Sequence, residues 1–328
     1  MARLITPALL VLLVLTTLAS LAVGSTSVDM LGGLYGFVTG QTSLDAIVIG
    51  EVRLPRTLIA LAVGAALGLS GAALQGLLRN PLAEPGLTGA SQGAALGAAS
   101  VFYFGLFPAL GAAAPSVAGL IGAGVALVLM LALAGSSRSH MVIMAGLAIT
   151  TLCGAALATV LNFAPNPYAM QERVFWLLGS VSERGLEHLW LLLPPLLVGS
   201  LLIISQRRLL SGLSLGDQVA RSMGLNYRHG SFMIVLGAAL LVGSSVAVAG
   251  SIGFVGLLVP HLLRPLVQNR PERLLIPAAL AGAILVCLAD VCVRMLPPGR
   301  ELKLGVLTSL LGAPLFIWLV WKERKRWN

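Results

Sequence analysis

The chain has 328 residues, of which 57% are hydrophobic and only 10% are charged, against about 25% charged in ordinary soluble domains. So few charges cannot cover a soluble fold of this length, and the bilayer becomes the solvent against which the pattern is read. The net charge of +9 falls in short clusters between apolar runs, which reports topology and excludes a broad phosphate-binding face, so no nucleic-acid partner is expected.

A helix crosses the hydrocarbon with about 20 mostly apolar residues. Ten such helices are predicted, at 4–23, 57–78, 91–109, 116–134, 141–163, 189–205, 231–249, 252–268, 274–293 and 304–321. The long charge-free runs are divided at Pro108–Pro115 and at Gly250–Gly253. The first segment, ending in Ala22-Val23-Gly24-Ser25, also has the outline of a signal peptide. Its apolar run is longer than the usual h-region, so an uncleaved first helix is expected. The eighth segment is the weakest, since it carries His261, Arg264 and two prolines. The expected class is therefore an all-α polytopic membrane protein, one transmembrane domain over 1–328.

Ten spans put both ends of the chain on one side. With that side inside, 14 of the 21 Lys and Arg residues fall in inside segments, so the positive-inside rule places both termini in the cytoplasm. Two self-similarities then occur in the same order. Val63-Gly64 to Gly71 with Gly76-Leu77-Leu78 echoes Val242-Gly243 to Gly250 with Gly256-Leu257-Leu258. Thr150-Thr151-Leu152-Cys153-Gly154 echoes Thr308-Ser309-Leu310-Leu311-Gly312. Helices 2–5 and 7–10 thus read as repeats of opposite orientation, a transporter signature.

Several chemistries are missing from the sequence. No GxxxxGK[ST] occurs, so the chain has no P-loop for nucleotide phosphates and is not expected to be an enzyme. No HExxH and no Cys/His ligand cluster occurs, so no metal site or cofactor is expected. Within the spans Asp290 precedes Arg294 by one helical turn. The two read as a satisfied i,i+4 pair, with a proton relay as the other reading.

The longest inside loop, 206–229, is read as a coupling loop. Asp217 is placed to open a short helix and Gly224 to close it, with Val219, Ala220 and Met223 on one face. Two turns of helix are not stable alone in water. That apolar face needs either a partner's groove or the chain's own membrane domain.

Several of these stretches resemble one family. Arg53-Leu54-Pro55-Arg56, Asn80-Pro81-Leu82-Ala83-Glu84-Pro85-Gly86, Leu215-Gly216-Asp217 to Gly224, Gly253-Phe254-Val255-Gly256-Leu257 with Pro260-His261, and Gly312-Ala313-Pro314-Leu315 are similar to the FecCD permeases. These belong to ATP-driven importers of iron-siderophores, haem and vitamin B12. The resemblance covers nearly the whole chain. It implies a type II ABC importer permease in the bacterial inner membrane. It also implies a second copy of the chain, two cytoplasmic ATPases that bind the ATP and Mg, and a periplasmic binding protein. By the same resemblance Asp217, Val219, Ala220, Arg221, Met223 and Gly224 would engage the ATPase. Arg53, Arg56 and Arg294 would meet glutamates of the binding protein. Thr150, Gly154, Ala155 and Asn162 of the fifth helix, with Thr308, Gly312 and Ala313 of the tenth, would line the path, and Ser139 and His140 would stand at the inner gate. Arg173 is placed against an anionic cargo, in a pair with Glu172 or Glu183, or against the binding protein. A ferric siderophore is the expected cargo, with haem or a corrinoid as alternatives.

Overall fold

A computed structural model of the chain describes residues 2–24, 27–135, 139–163, 176–296 and 302–327. Fourteen α-helices and no β-strand occur among the described residues. The helix α1 (Ala2–Ala22) is followed by two short helices, α2 (Met30–Thr39) and α3 (Leu44–Ile47), that the sequence reading did not anticipate. A π-helical turn, Val48–Arg53, then runs without interruption into α4 (Leu54–Leu77). Pro55 explains the wide turn: it has no N–H for the Glu51 carbonyl and its ring crowds that carbonyl, so the helix widens there.

After α4 come α5 (Ala90–Phe104), α6 (Ala114–Ala134), α7 (Ser139–Asn162) and α8 (Leu186–Ser205). Two short helices, α9 (Arg207–Ser214) and α10 (Asp217–Ser222), lead to α11 (Tyr227–Ala249). The chain ends through α12 (Val255–Leu263), α13 (Pro271–Arg294) and α14 (Leu304–Trp327). All ten expected segments are helical, but they are not ten equal spans. Seven helices among the described residues are long and apolar enough to cross a membrane. The eighth expected segment is corrected most: α12 has nine residues, a rise of about 14 Å at 1.5 Å per residue. Gly250 at φ +71° and Phe254 at φ +66° delay its start, and Pro265 follows its end.

Glycine sets how closely the helices approach. Gly64 and Gly68 of α4 lie on the backbone of Gly282 and Ala278 in α13, where any Cβ would strike a carbonyl. Gly93 and Gly97 of α5 meet Gly122 and Ala118 of α6 in the same way. Small residues give transmembrane helices this proximity, and packing then replaces the hydrophobic drive that lipid cannot supply.

The contacts follow the repeat. The first helix of the first repeat, α4, packs on α13, and its counterpart α11 packs on α6. The matched residues agree as well: Gly64 sits on α13 at Gly282, while Gly243 sits on α6 at Ala123. The two repeats are thus interleaved, the first helix of each packing against the third helix of the other.

Candidate functional site: a translocation face between two polar ends

One end of the bundle gathers the C-terminus of α4, the N-terminus of α13 and the short helices α9 and α10. On α9, Leu209, Leu210 and Leu213 are buried, with Leu210 against Gly76 and Leu209 against Gly230. This amphipathic turn seats the segment on the membrane domain. The next helix, α10, ends as the sequence predicts: Gly224 has φ +71°, and Leu225 N–H donates to Ala220 O at 3.3 Å. The exposed large apolar side chains here are Leu215, Val219 and Met223.

Ala220 requires a correction. It is 1% exposed and packs over Gly212 of α9, so it faces its own chain and is not on one face with Val219 and Met223. The side chains of Asp217, Arg221, Ser139 and His140, and the whole of Arg173, lie outside the described residues.

Above this end, the short helix α12 is held by buried polar groups. Pro260 has no N–H for the Gly256 carbonyl, and the fully buried Gln75 supplies the missing donor at 3.4 Å, with a second bond to Leu257 O at 3.1 Å. Arg264 donates to Gln75 Oε1 at 3.0 Å. At the other end of α12, the Phe254 backbone N–H donates to Glu84. Burial pushes the Glu84 carboxyl above the usual carboxylate range, against the lowering effect of that hydrogen bond.

The predicted path residues divide. On α7, Met144, Leu147, Ala148, Thr151, Leu152 and Ala155 line an open groove of about 610 Å3. Gly154 is half-buried and a Cβ there would meet nothing, while Asn162 is exposed. Thr150 is half-buried and its hydroxyl donates back to Gly146 O at 2.8 Å. On α14 the expectation is corrected. Thr308 is buried and donates to Gly305 O at 3.1 Å. Gly312 is buried because the Phe254 ring occupies the space a side chain would take, so it leaves no room for cargo. Ala313 is half-buried, and Leu310, Leu311 and Leu315 carry the exposed face.

At the opposite end of the bundle, the three arginines expected to meet the binding protein all make bonds within the chain. Arg53 is 3% exposed, and its Nη1 donates to Leu21 O and Ala22 O, both at 2.8 Å. Those are C-terminal carbonyls of α1, which have no partner within the helix. Arg56 forms a fork on Asp290, with Nε at 3.0 and 3.1 Å from the two oxygens and Nη2 at 2.8 Å from Oδ1. Arg294 holds Asp290 Oδ2 at 2.8 Å as the i,i+4 pair expected from the sequence, and also donates to Ser20 O and Val23 O. Asp290 is itself 1% exposed. These arginines clasp α1, α4 and α13 together; Arg53 is buried, while Arg56 and Arg294 are half-buried.

An interleaved inverted repeat, an open apolar face on α7 and an exposed short helix at one end are the features of a transport permease. The chain belongs to the FecCD transport family, whose profile matches residues 12–322; these are permeases of ABC importers. It is 38% identical to the hemin transport system permease protein HmuU of Yersinia pestis, over 98% of this chain and 97% of that one. It is 39% identical to the vitamin B12 import system permease protein BtuC of Citrobacter koseri, over 84% of each. A solved metal-chelate type ABC transporter in an inward-facing conformation superposes with a TM-score of 0.86 at 33% identity, over 98% of this chain and 99% of that one. PsaBC of Streptococcus pneumoniae, at 18% identity and a TM-score of 0.54 over 87% of this chain and 94% of that one, shares the fold.

Proposed function

We propose that the chain carries a bulky iron chelate inward across the bacterial inner membrane, as one of two copies driven by separate ATPase subunits and fed by a periplasmic binding protein. The observation that carries this reading is the pairing of an open groove on α7 with an exposed apolar helix tip at Val219 and Met223. The groove is open and mostly apolar, which suits a large ligand with little exposed charge. The tip offers a short anchor to a partner's pocket, and the absence of a P-loop assigns ATP and Mg to that partner. The bias of 14 of the 21 Lys and Arg residues to one side supports a cytoplasmic position for α9, α10 and both termini. A ferric siderophore is the first reading of the cargo. Haem is the second, favoured by the likeness to a hemin permease over nearly the full length.

The test is reconstitution in proteoliposomes with the cognate ATPase and binding protein, comparing uptake of ferric siderophore, hemin and cobalamin. Met223→Glu is expected to abolish ATPase co-purification and uptake while the permease inserts and folds normally. Uptake by the chain alone under an ion gradient, or intact coupling in Met223→Glu, would overturn the proposal.

A further inference from the structure

Where α4 and α6 end and α11 begins, the bundle holds a cavity of about 590 Å3. None of its lining belongs to the α7 groove. Its floor is apolar, formed by Leu77, Leu131, Val142 and Val235. Its mouth is polar, formed by Asn226, Arg228 and His229 around the first turn of α11. Arg228 and His229 are exposed, and no acidic side chain lines the cavity among the described residues.

Just inside the mouth, Ser231 Oγ is buried without a hydrogen-bond partner among the described residues. Serines in a membrane helix usually bond to the carbonyl one turn back. Ser244 and Ser245 of the same helix do so, to Leu240 O and Leu241 O, both at 2.7 Å. The Ser231 hydroxyl is therefore unspent. The cavity also faces hydrocarbon: Phe232 lines it and is 41% exposed, and the exposed Leu129 and Leu133 flank the lining Leu131 in sequence.

These features lie at one depth. The ends of three membrane helices put the mouth at the water interface and the floor in the hydrocarbon. A cation and an unpartnered hydroxyl at the interface, above an apolar slot with a side open to lipid, match an amphiphile with a phosphate head and acyl chains. A soluble anion would gain nothing from the floor, and an apolar ligand would gain nothing from Arg228. We propose that this cavity binds an anionic phospholipid, its phosphate at Arg228, His229 and Ser231 and an acyl chain along Leu77, Leu131 and Val142.

The test is native mass spectrometry and thermal unfolding of the intact permease after delipidation. The probes are phosphatidylglycerol, cardiolipin, phosphatidylcholine and glycerol 3-phosphate. The wild type is expected to retain the two anionic lipids and to melt higher with them than with phosphatidylcholine. Arg228→Gln is expected to weaken retention about fivefold, the share of one juxtamembrane cation. Ala132→Phe fills the exposed side of the lining without touching a charge, and is expected to lower retention as well, so the proposal stays testable if the first variant misfolds. Equal retention by the wild type and Ala132→Phe, or of phosphatidylcholine and phosphatidylglycerol, would overturn it. So would a thermal shift with glycerol 3-phosphate as large as with lipid, which would assign the site to a free phosphate. Release of phosphatidylglycerol by the cognate ATPase, with both variants also weakening that ATPase, would assign the cavity to the protein partner and overturn the lipid.

Discussion

Asp290→Asn is the sharpest probe of the clasp at the α1 end. The change keeps the side-chain volume and removes one charge. It leaves the guanidinium groups of Arg56 and Arg294, with side chains 17% and 7% exposed, without their shared counter-ion. Removing one partner of a buried ion cluster costs about 3–5 kcal/mol, because the remaining charge is left desolvated. The partial exposure of Arg56 moves the expected cost to the lower part of that range. At roughly 2–4 °C per kcal/mol for a chain of some hundreds of residues, the melting temperature should fall by about 6–15 °C. Differential scanning fluorimetry of the purified permease in detergent measures it. The double variant Arg56→Gln, Asp290→Asn should lose less than the sum of the two single changes, with a coupling of roughly 0.5–3 kcal/mol for residues in contact. A single variant that melts within about 1 °C of the wild type, or strictly additive losses, would show that Asp290 does not hold the two arginines.

Two further outcomes follow from the packing. Gly282→Val would press a side chain onto the Gly64 carbonyl, and overpacking of about 1–3 kcal/mol or more should lower thermal stability; an unchanged melt would refute the close α4–α13 approach. Cysteine scanning along α7, in a background without Cys153 and the exposed Cys292, should label positions 144, 147, 151, 152 and 155 and spare the buried 145 and 149. Uniform labelling would remove the groove from the path.

What the sequence made legible was periodic or local. The long apolar runs, their breaks at Gly250 and near Pro108, the Gly224 cap and the Asp290–Arg294 turn all follow from spacing within one element. The length of α12 was hidden, because an apolar run through Pro260 reads the same whether the helix spans or stops halfway. The short α9 was missed although Leu209, Leu210 and Leu213 recur at helical spacing, because eight residues are too few to mark a helix apart from the loop around it. The internal bonds of Arg53 and Arg56, and those of Arg294 to α1, were not legible in the sequence. Their partners lie far off in sequence, Asp290 being 234 residues from Arg56, and no local pattern carries such a pairing. The phospholipid cavity left no sequence signal beyond Arg228-His229, since its floor is drawn from four separate helices.

The inverted repeat suggests equal roles for α7 and α14, and the geometry shows why they differ. α5 and α12 each start from a left-handed residue that abuts a helix expected to line the path, α7 or α14. In the first half that residue is Gly89, with φ +76°, lying against Ile149 and Thr150 of α7. Having no side chain, it lets α7 approach from one side and keep Thr151 and Ala155 open on the other. In the second half the residue is Phe254, whose ring projects onto Gly312 of α14. A bulky residue at positive φ is costly and persists only where its surroundings hold it. Here Glu84 accepts its N–H, Gln75 holds the following turn, and Gly312 makes room for the ring. The glycine that the sequence marks as path-lining is therefore small for an internal reason. The second half gives up groove volume to anchor α12, and the open face falls to α7.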